Sequence, residues 1–297
     1  MKLRVLDLFA GRGGLSRMFK ERGHEVITLD FDAKFGCDLT MDAIAFAEDP
    51  VRFLNEAAVR AGFIKEGETW LPGVIVGGPP CEALSVLTIM RHWHPPPSNE
   101  PKTDKARLAV RLVQAMLDVV AKVNGARAAV GMSPVWWWME NPRAKLRVLG
   151  VVVGLPRVTI TACQYGASWQ KPTDLWGNFP PSWVPRPTCK PGAACHVSAP
   201  RGSKQTGTIQ GVGGKDKAAI RAEAPLGLSL SLCLACEVPL PAAPEDAEAA
   251  PVARLADQVP LGGASPREET LRTQSTGSRW TSTDQGELRA THIDRKL

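Results

Sequence analysis

The segment Val74-Ile75-Val76-Gly77-Gly78-Pro79-Pro80-Cys81 runs from an apolar strand pattern, through two glycines and two prolines, to a thiol. Proline fixes φ, so the loop after the strand holds its side chains in place. A lone cysteine is more often inert packing than a nucleophile. Cys81 differs by its position at the C-terminal end of a strand, the edge where α/β sheets place ligands. A second apolar run, Trp136-Trp137-Trp138-Met139-Glu140-Asn141-Pro142, ends at a carboxylate in the same way. Alone, Glu140 also reads as a salt-bridged or capping residue, and the three tryptophans read as core and adjoining surface. Together, a thiolate and a proton donor can add across a pyrimidine. Sulfur attacks carbon 6 while a proton reaches ring nitrogen 3, which leaves carbon 5 nucleophilic.

Two such residues share one edge only if a sheet aligns their strands, and the first 165 residues have that pattern. Leu3–Phe9, Glu25–Asp30, Val74–Gly77, Val135–Met139 and Val158–Cys163 read as strands, several apolar throughout, as parallel strands buried on both faces are. Leu15–Arg22, Val51–Ala61 and Asp104–Val123 show helical spacing between them. The alternation predicts a doubly wound α/β sheet. The first strand leads into Asp7-Leu8-Phe9-Ala10-Gly11-Arg12-Gly13-Gly14-Leu15, a glycine-rich turn into a helix. Glycine there lets backbone approach a ligand closely, and by itself the turn suits a dinucleotide, a flavin or a plain tight corner. Asp30 ends the next strand, where a carboxylate can hold ribose hydroxyls. Phe31 beside it can stack on an adenine, and Asp38 can accept from the adenine amine or be a solvated loop acid.

Gly-Gly-Pro-Pro-Cys81-x-x-x-Ser85, Glu140-Asn141 and the Asp7–Leu15 turn resemble, in order, the signature motifs of the cytosine-5 DNA methyltransferase family, most of all its compact bacteriophage and bacterial members. With Arg221-x-x-x-Pro225 as a weak match to a motif that closes the cofactor pocket, the resemblance spans about residues 3–236. It implies a Rossmann-like class I methyltransferase fold, a seven-stranded, mostly parallel sheet with one antiparallel edge strand. S-adenosylmethionine is the implied cofactor, held by Asp7, Phe9, Ala10, Gly11, Gly13, Gly14, Leu15, Asp30, Phe31, Asp38 and Pro80. Cys81 is the implied nucleophile and Glu140 the proton donor, with Lys171 and Gln170 standing nearest to the family's arginine motif. Ser85, Arg91, Asn141 and Thr173 are the expected substrate contacts. The sequence departs from the family at Glu82 and Leu84, where Gln and Phe are usual, and at Lys171, whose ammonium lacks arginine's planar fork. Ile89–Lys102 is expected to be a mobile segment that closes over DNA, with Arg91, His92 and His94 placed to contact phosphates.

Domain boundaries follow from composition. Residues 1–177 are the catalytic and cofactor-binding domain, 178–216 a small target-recognition segment rich in Pro, Gly, Lys and Arg, 217–236 a helix packing back on the first, and 237–297 a disordered tail. Cys189, Cys195 and His196, with Cys163, offer ligands for a structural zinc, although Cys-x-x-Cys spacing is absent and adjacent Cys195-His196 is awkward for one tetrahedral ion. Cys233 and Cys236 do have that spacing, but on a leucine-rich helix, where packing is the better reading. The net charge of +6 splits into −3 for residues 237–297 and +9 for residues 1–236, a basic body suited to a polyanion. Double-stranded DNA is the expected partner of a monomer, with a cognate restriction endonuclease in a modification system. The rivals are an RNA cytosine-5 methyltransferase and an inactive nucleic-acid-binding relative. Seven cysteines at scattered spacing, no leader pattern at Met1-Lys2-Leu3-Arg4 and no run near the ~20 apolar residues of a membrane span point to a cytoplasmic protein and no membrane partner.

Overall fold

The computed structural model describes residues 2–196 and 223–239. Seven strands form one sheet: β1 (Arg4–Leu8), β2 (Glu25–Asp30), β3 (Leu39–Thr40), β4 (Val74–Gly77), β5 (Trp136–Pro142), β6 (Arg157–Thr161) and β7 (Pro172–Asn178). Their order is β3-β2-β1-β4-β5-β7-β6. All neighbouring pairs from β3 to β5 are parallel, whereas β7 runs antiparallel to both β5 and β6. This is the expected doubly wound sheet with one correction. The antiparallel strand is not at the edge but lies between β5 and β6, and β6 is the edge strand. The short connection from β6 to β7 forces an antiparallel pair, and β7 then fills the slot beside β5.

Alternate residues of each strand enter two apolar layers. Leu6, Leu8, Ile27, Leu29, Ile75, Trp137 and Met139 face one, together with the helices α2 (Ala43–Glu48), α3 (Pro50–Arg60) and α5 (Asp104–Ala129). Val5, Val26, Val74, Val76 and Trp138 face the other, with α1 (Arg17–Glu21) and the last described helix, α6 (Leu226–Glu237). Full burial of each large aliphatic side chain contributes ~1.5–3 kcal/mol, which is why runs apolar on both faces specify a covered sheet. A short helix, α4 (Ile89–His92), follows the Cys81 loop.

Local signals set the helix starts. Asp49 accepts from Arg52 N at 3.3 Å ahead of Pro50 at the first turn of α3, and Thr103 Oγ1 accepts from Ala106 N at 3.3 Å at the start of α5. The α5 pattern carries on past Val123 to Ala129, and its buried face includes Ala106, Ala109, Val113, Met116, Val120 and Val123. On α6 only Leu228 and Leu232 of the five leucines are fully buried, one helical turn apart, with Ser229, Cys233 and Cys236. The two cysteines are core residues, as their setting on a leucine-rich helix predicts.

Residues 179–196 contain neither helix nor strand, as expected for the first part of the segment 178–216. Residues 197–222 and 240–297, which include the rest of that segment, the start of the expected 217–236 helix, Arg221 and nearly all of the tail, lie outside the described residues. Among the described residues no helix is long and apolar enough to cross a membrane.

Candidate active site

Strand register brings the chemical residues to one edge. Leu8 pairs with Gly77, and Gly77 with Met139, so the glycine turn and the Gly78–Cys81 loop leave the sheet side by side, next to Glu140 on β5. The three enclose a cavity of ≈ 220 Å³ lined by Asp7, Phe9, Gly11, Gly78, Cys81, Glu140 and Lys171, among others. Gly77 is confined from below: an added Cβ would lie 2.8 Å from Met116 Sδ of α5 and 3.0 Å from Leu8 O. A side chain at Gly78 would instead point at Glu140 Oε2, 3.8 Å away, and at Leu15. Glycine is thus what keeps the space between cysteine and carboxylate open.

Lys171, just before β7, places Nζ 3.2 Å from Glu140 Oε1, with both side chains largely enclosed. Burial pushes the Cys81 thiol above its ordinary value, the Glu140 charge pushes it further, and the Lys171 ammonium pulls it back. Cys81, Glu140 and Lys171 therefore form one electrostatic unit. Cys81 also starts a turn in which its carbonyl accepts from Leu84 N and Ser85 N, each at 2.9 Å. That turn is pinned by the Trp93 indole, which donates to Ala83 O at 2.7 Å, and by Lys145 N on Leu84 O at 3.1 Å. Leu84 is fully buried, while the Glu82 carboxylate is exposed and paired with Lys105.

The other expected residues divide clearly. Asp30 Oδ2 accepts from Gly11 N at 2.9 Å and Oδ1 from Asp32 N at 3.0 Å, so this carboxylate braces the glycine turn. Asp7, also buried, accepts from the Ser16 hydroxyl at 2.5 Å beneath the same turn. Ala10, Gly14, Leu15 and Pro80 line the cavity with them, and Gly13, in the left-handed region at φ 75°, turns the backbone beside them. Asp38 is exposed and spends Oδ2 on Thr28 N and Thr28 Oγ1, at 2.8 and 2.7 Å. Ser85 Oγ lies 3.1 Å from Thr88 Oγ1, and Arg91 is exposed on α4.

Three expected site residues, Asn141 and Thr173 as substrate contacts and Gln170 as a catalytic residue, point elsewhere. Asn141 is fully buried, and its Nδ2 donates to Pro79 O at 3.0 Å, tying β5 to the proline loop. Thr173 is buried and donates to Lys171 O at 3.4 Å. Gln170 Nε2 donates to Cys189 O at 3.2 Å, away from Glu140. These residues hold the site's frame instead of lining it. His92 is also fixed: it is buried, with Nδ1 2.8 Å from Thr103 Oγ1, and Trp93 bridges to Pro101. The expected closing segment is therefore anchored at its start, while His94 is exposed.

A second cavity of ≈ 380 Å³ shares Phe9 and Pro80 with the first. Leu29, Met41, Leu108 and Leu112 line it with Phe31, which is 72% exposed. An apolar slot with an exposed aromatic edge, next to a carboxylate and a glycine turn, is a donor set that fits an adenosyl group. Sequence reading missed Met41, Leu108 and Leu112, which look like ordinary core positions, and Glu223 and Ala224, which close the first cavity from over two hundred residues away.

Cys163, Cys189, Cys195 and His196 converge, with their ligand atoms all within 4.8 Å of one another. A second group, His24, Cys233 and Glu237, also meets this limit. There both Glu237 oxygens are taken by Arg22, at 2.7 Å each, and His24 Nε2 lies 2.9 Å from Oε1. The arginine supplies the positive charge at that carboxylate.

No family model matches the chain, and no curated protein matches it. Among solved structures, the Entamoeba histolytica methyltransferase EhMeth aligns at TM-score 0.38 and 11% identity over 60% of this chain and 53% of its own. The S. pombe Dnmt2 methyltransferase aligns at TM-score 0.33 and 12% identity over 60% and 50%. The chain spans about half the length of these structures. Likenesses of this size carry no functional weight; the fold is established by strand order and direction.

Proposed function

We propose that the chain is a DNA cytosine-5 methyltransferase using S-adenosylmethionine. The observation that carries this reading is the convergence of Cys81, Glu140 and Lys171 on a cavity that the glycine turn also lines. Asp30, Phe31, Phe9 and the apolar slot would hold the cofactor's adenosyl part, and Asp7, Gly11 and Gly78 border the space for the rest. Bound there, S-adenosylmethionine supplies an electrophilic methyl group. Cys81, as thiolate, adds to carbon 6 of cytosine, and the carboxyl of Glu140 delivers a proton to nitrogen 3. Lys171 holds the Glu140 carboxylate in place and favours the thiolate. Once carbon 5 is methylated, its proton passes to solvent water, nitrogen 3 returns its proton to the Glu140 carboxylate, and departure of the Cys81 sulfur restores the aromatic ring and the free thiolate.

A base stacked in a duplex hides carbon 6, so the target must leave the helix at a cost of a few kcal/mol. The exposed apolar side chains that follow the nucleophile, Val86, Leu87 (90% exposed) and Met90, suit the gap a flipped base leaves. The basic charge of residues 1–236 suits the phosphates.

Duplex DNA bearing 5-fluorocytosine, incubated with the full chain and S-adenosylmethionine, tests the reading, because fluorine cannot leave as a proton and traps the adduct. A denaturant-resistant protein–DNA species that is lost in Cys81→Ser is the expected result. Adduct on RNA alone would transfer the activity to RNA, and adduct on neither would overturn the reading.

A further inference from the structure

The cysteine–histidine cluster lies outside the cavity and the proposed reaction does not use it. Three segments bring it together. Cys163 follows β6 and is buried, Cys189 and Cys195 flank a reversal of the chain, and His196 adds its ring beside Cys195. The reversal resolves the problem of adjacent ligands. Ala193 N donates to Lys190 O at 3.2 Å across a turn that has Gly192 at φ 82°, a backbone conformation suited to glycine. The chain therefore doubles back, and both Cys195 and His196 reach the point that Cys189 already faces.

Three of the distances are those of a tetrahedron's edges. Zn–S bonds of about 2.3 Å and Zn–N bonds of about 2.0–2.1 Å require S···S edges of about 3.8 Å and S···N edges of about 3.6 Å. Cys195 Sγ lies 3.7 Å from Cys163 Sγ, and His196 Nδ1 lies 3.6 Å from both Cys189 Sγ and Cys195 Sγ. The Cys163–Cys189 edge, at 3.1 Å, is the shorter one. Three thiolates and an imidazole are a soft donor set that selects zinc over hard cations.

The surroundings supply the usual outer support for such an ion. Gln164 Nε2 donates to Cys195 Sγ at 3.4 Å, Cys189 N donates to Thr161 Oγ1 at 3.1 Å, and Gln170 Nε2 donates to Cys189 O at 3.2 Å. Arg186 joins the same two segments: its backbone N donates to the Tyr165 hydroxyl at 2.9 Å and its guanidinium to Gln164 O at 2.6 Å. Its cation, with Lys190 nearby in sequence, opposes the single net negative charge of a zinc–trithiolate centre. Residues 179–196 have no helix or strand of their own, so cross-links of this kind must fix them.

We infer that Cys163, Cys189, Cys195 and His196 bind a structural zinc ion that fastens residues 185–196 to the Thr161–Lys171 segment. The link reaches the proposed active site in two short steps. Cys189 is bonded to Gln170, and Gln170 O and Lys171 O both accept from Ala162 N, at 2.9 and 3.3 Å. The metal site stands whatever reaction the cavity performs, so its test does not rely on methyl transfer.

Elemental analysis of the full chain, purified under reducing conditions without added chelator, is expected to give one zinc per chain. A mercurial thiol reagent should release it, as read by a colorimetric zinc indicator. The Cys195→Ala/His196→Ala pair should lose the metal, whereas His196→Cys should keep it. Should the alanine pair fail to fold, cobalt substitution in the unaltered chain reads the same ligands: tetrahedral visible bands with thiolate-to-cobalt charge transfer are expected. Hydrogen exchange within residues 161–171 and 185–196 should quicken on zinc removal and slow again on its return. Metal-free protein after zinc reconstitution, zinc retained by the alanine pair, octahedral cobalt spectra, or a Cys163–Cys189 disulfide in place of metal would each overturn the inference.

Discussion

Replacing Asp7 by asparagine should change how stability depends on pH, by an amount the structure sets. The Asp7 carboxyl lies under the glycine turn, 1% exposed. Burial lifts its pKa from 3.8 to about 7; the Ser16 hydrogen bonds pull the other way and the Asp30 charge adds to the rise. Between these values the folded chain holds a proton that the unfolded chain has released. The native state therefore binds more protons, and stability falls as pH rises from 3.8 to about 7, then levels off. At 1.36 kcal/mol per pH unit the full fall is ~4 kcal/mol, of which roughly a third has occurred by pH 5. Asparagine keeps the shape and an acceptor for Ser16 but does not titrate. Any loss at the Ser16 bond is a constant offset, so the slope is the readout. Between pH 5 and pH 8, Asp7→Asn should gain ~3 kcal/mol on the unaltered chain. Urea unfolding followed by tryptophan fluorescence at each pH measures both curves. Parallel curves would refute the claim that the folded protein keeps Asp7 protonated near neutrality.

Alkylation of Cys81 by iodoacetamide should rise about tenfold per pH unit between pH 7 and 9, since only the thiolate reacts. Because Glu140 raises the thiol and Lys171 lowers it, Glu140→Gln should speed alkylation and Lys171→Met should slow it at fixed pH, as peptide mass spectrometry would record. Gly177→Ala should cost about 3 kcal/mol or more, because an added Cβ would lie 2.0 Å from Trp137 O across the β5–β7 pair. An unmoved urea midpoint would contradict that register.

The parallel half of the sheet was legible because its strands are continuous apolar runs, and the Cys81 loop because glycine and proline punctuate it. β7 was not. Pro172-Thr173-Asp174-Leu175-Trp176-Gly177-Asn178 begins with a proline and carries a fully buried aspartate. That aspartate is tolerated because the Arg147 guanidinium pairs with it, Nη2 to Oδ1 at 2.5 Å, and the Thr159 hydroxyl donates to it at 2.7 Å. A partner 27 residues away leaves no local signal. Once β7 is in place, β5 extends through Glu140 and Asn141 to Pro142, past the end its apolar residues suggest. In the site, residue types revealed Cys81 and Glu140, whereas the inward turns of Asn141, Thr173 and Gln170 depended on tertiary bonds.

The glycine turn is roofed from the far end of the described chain. Ser229 of α6 donates to Leu15 O at 2.7 Å and accepts from Met18 N at 3.2 Å, while Glu223 and Ala224 complete the cavity wall. Contacts so distant in sequence form late. During vectorial synthesis all seven strands can pair once Asn178 has left the ribosome, yet the pocket lacks its wall until Glu223 and Ala224 have followed and α6 can dock against the glycine turn. A nascent chain can thus bring Cys81 and Glu140 together for some time before the cavity beside them is closed. Closure of the cavity arrives with α6, well after the sheet that positions Cys81 and Glu140 is complete.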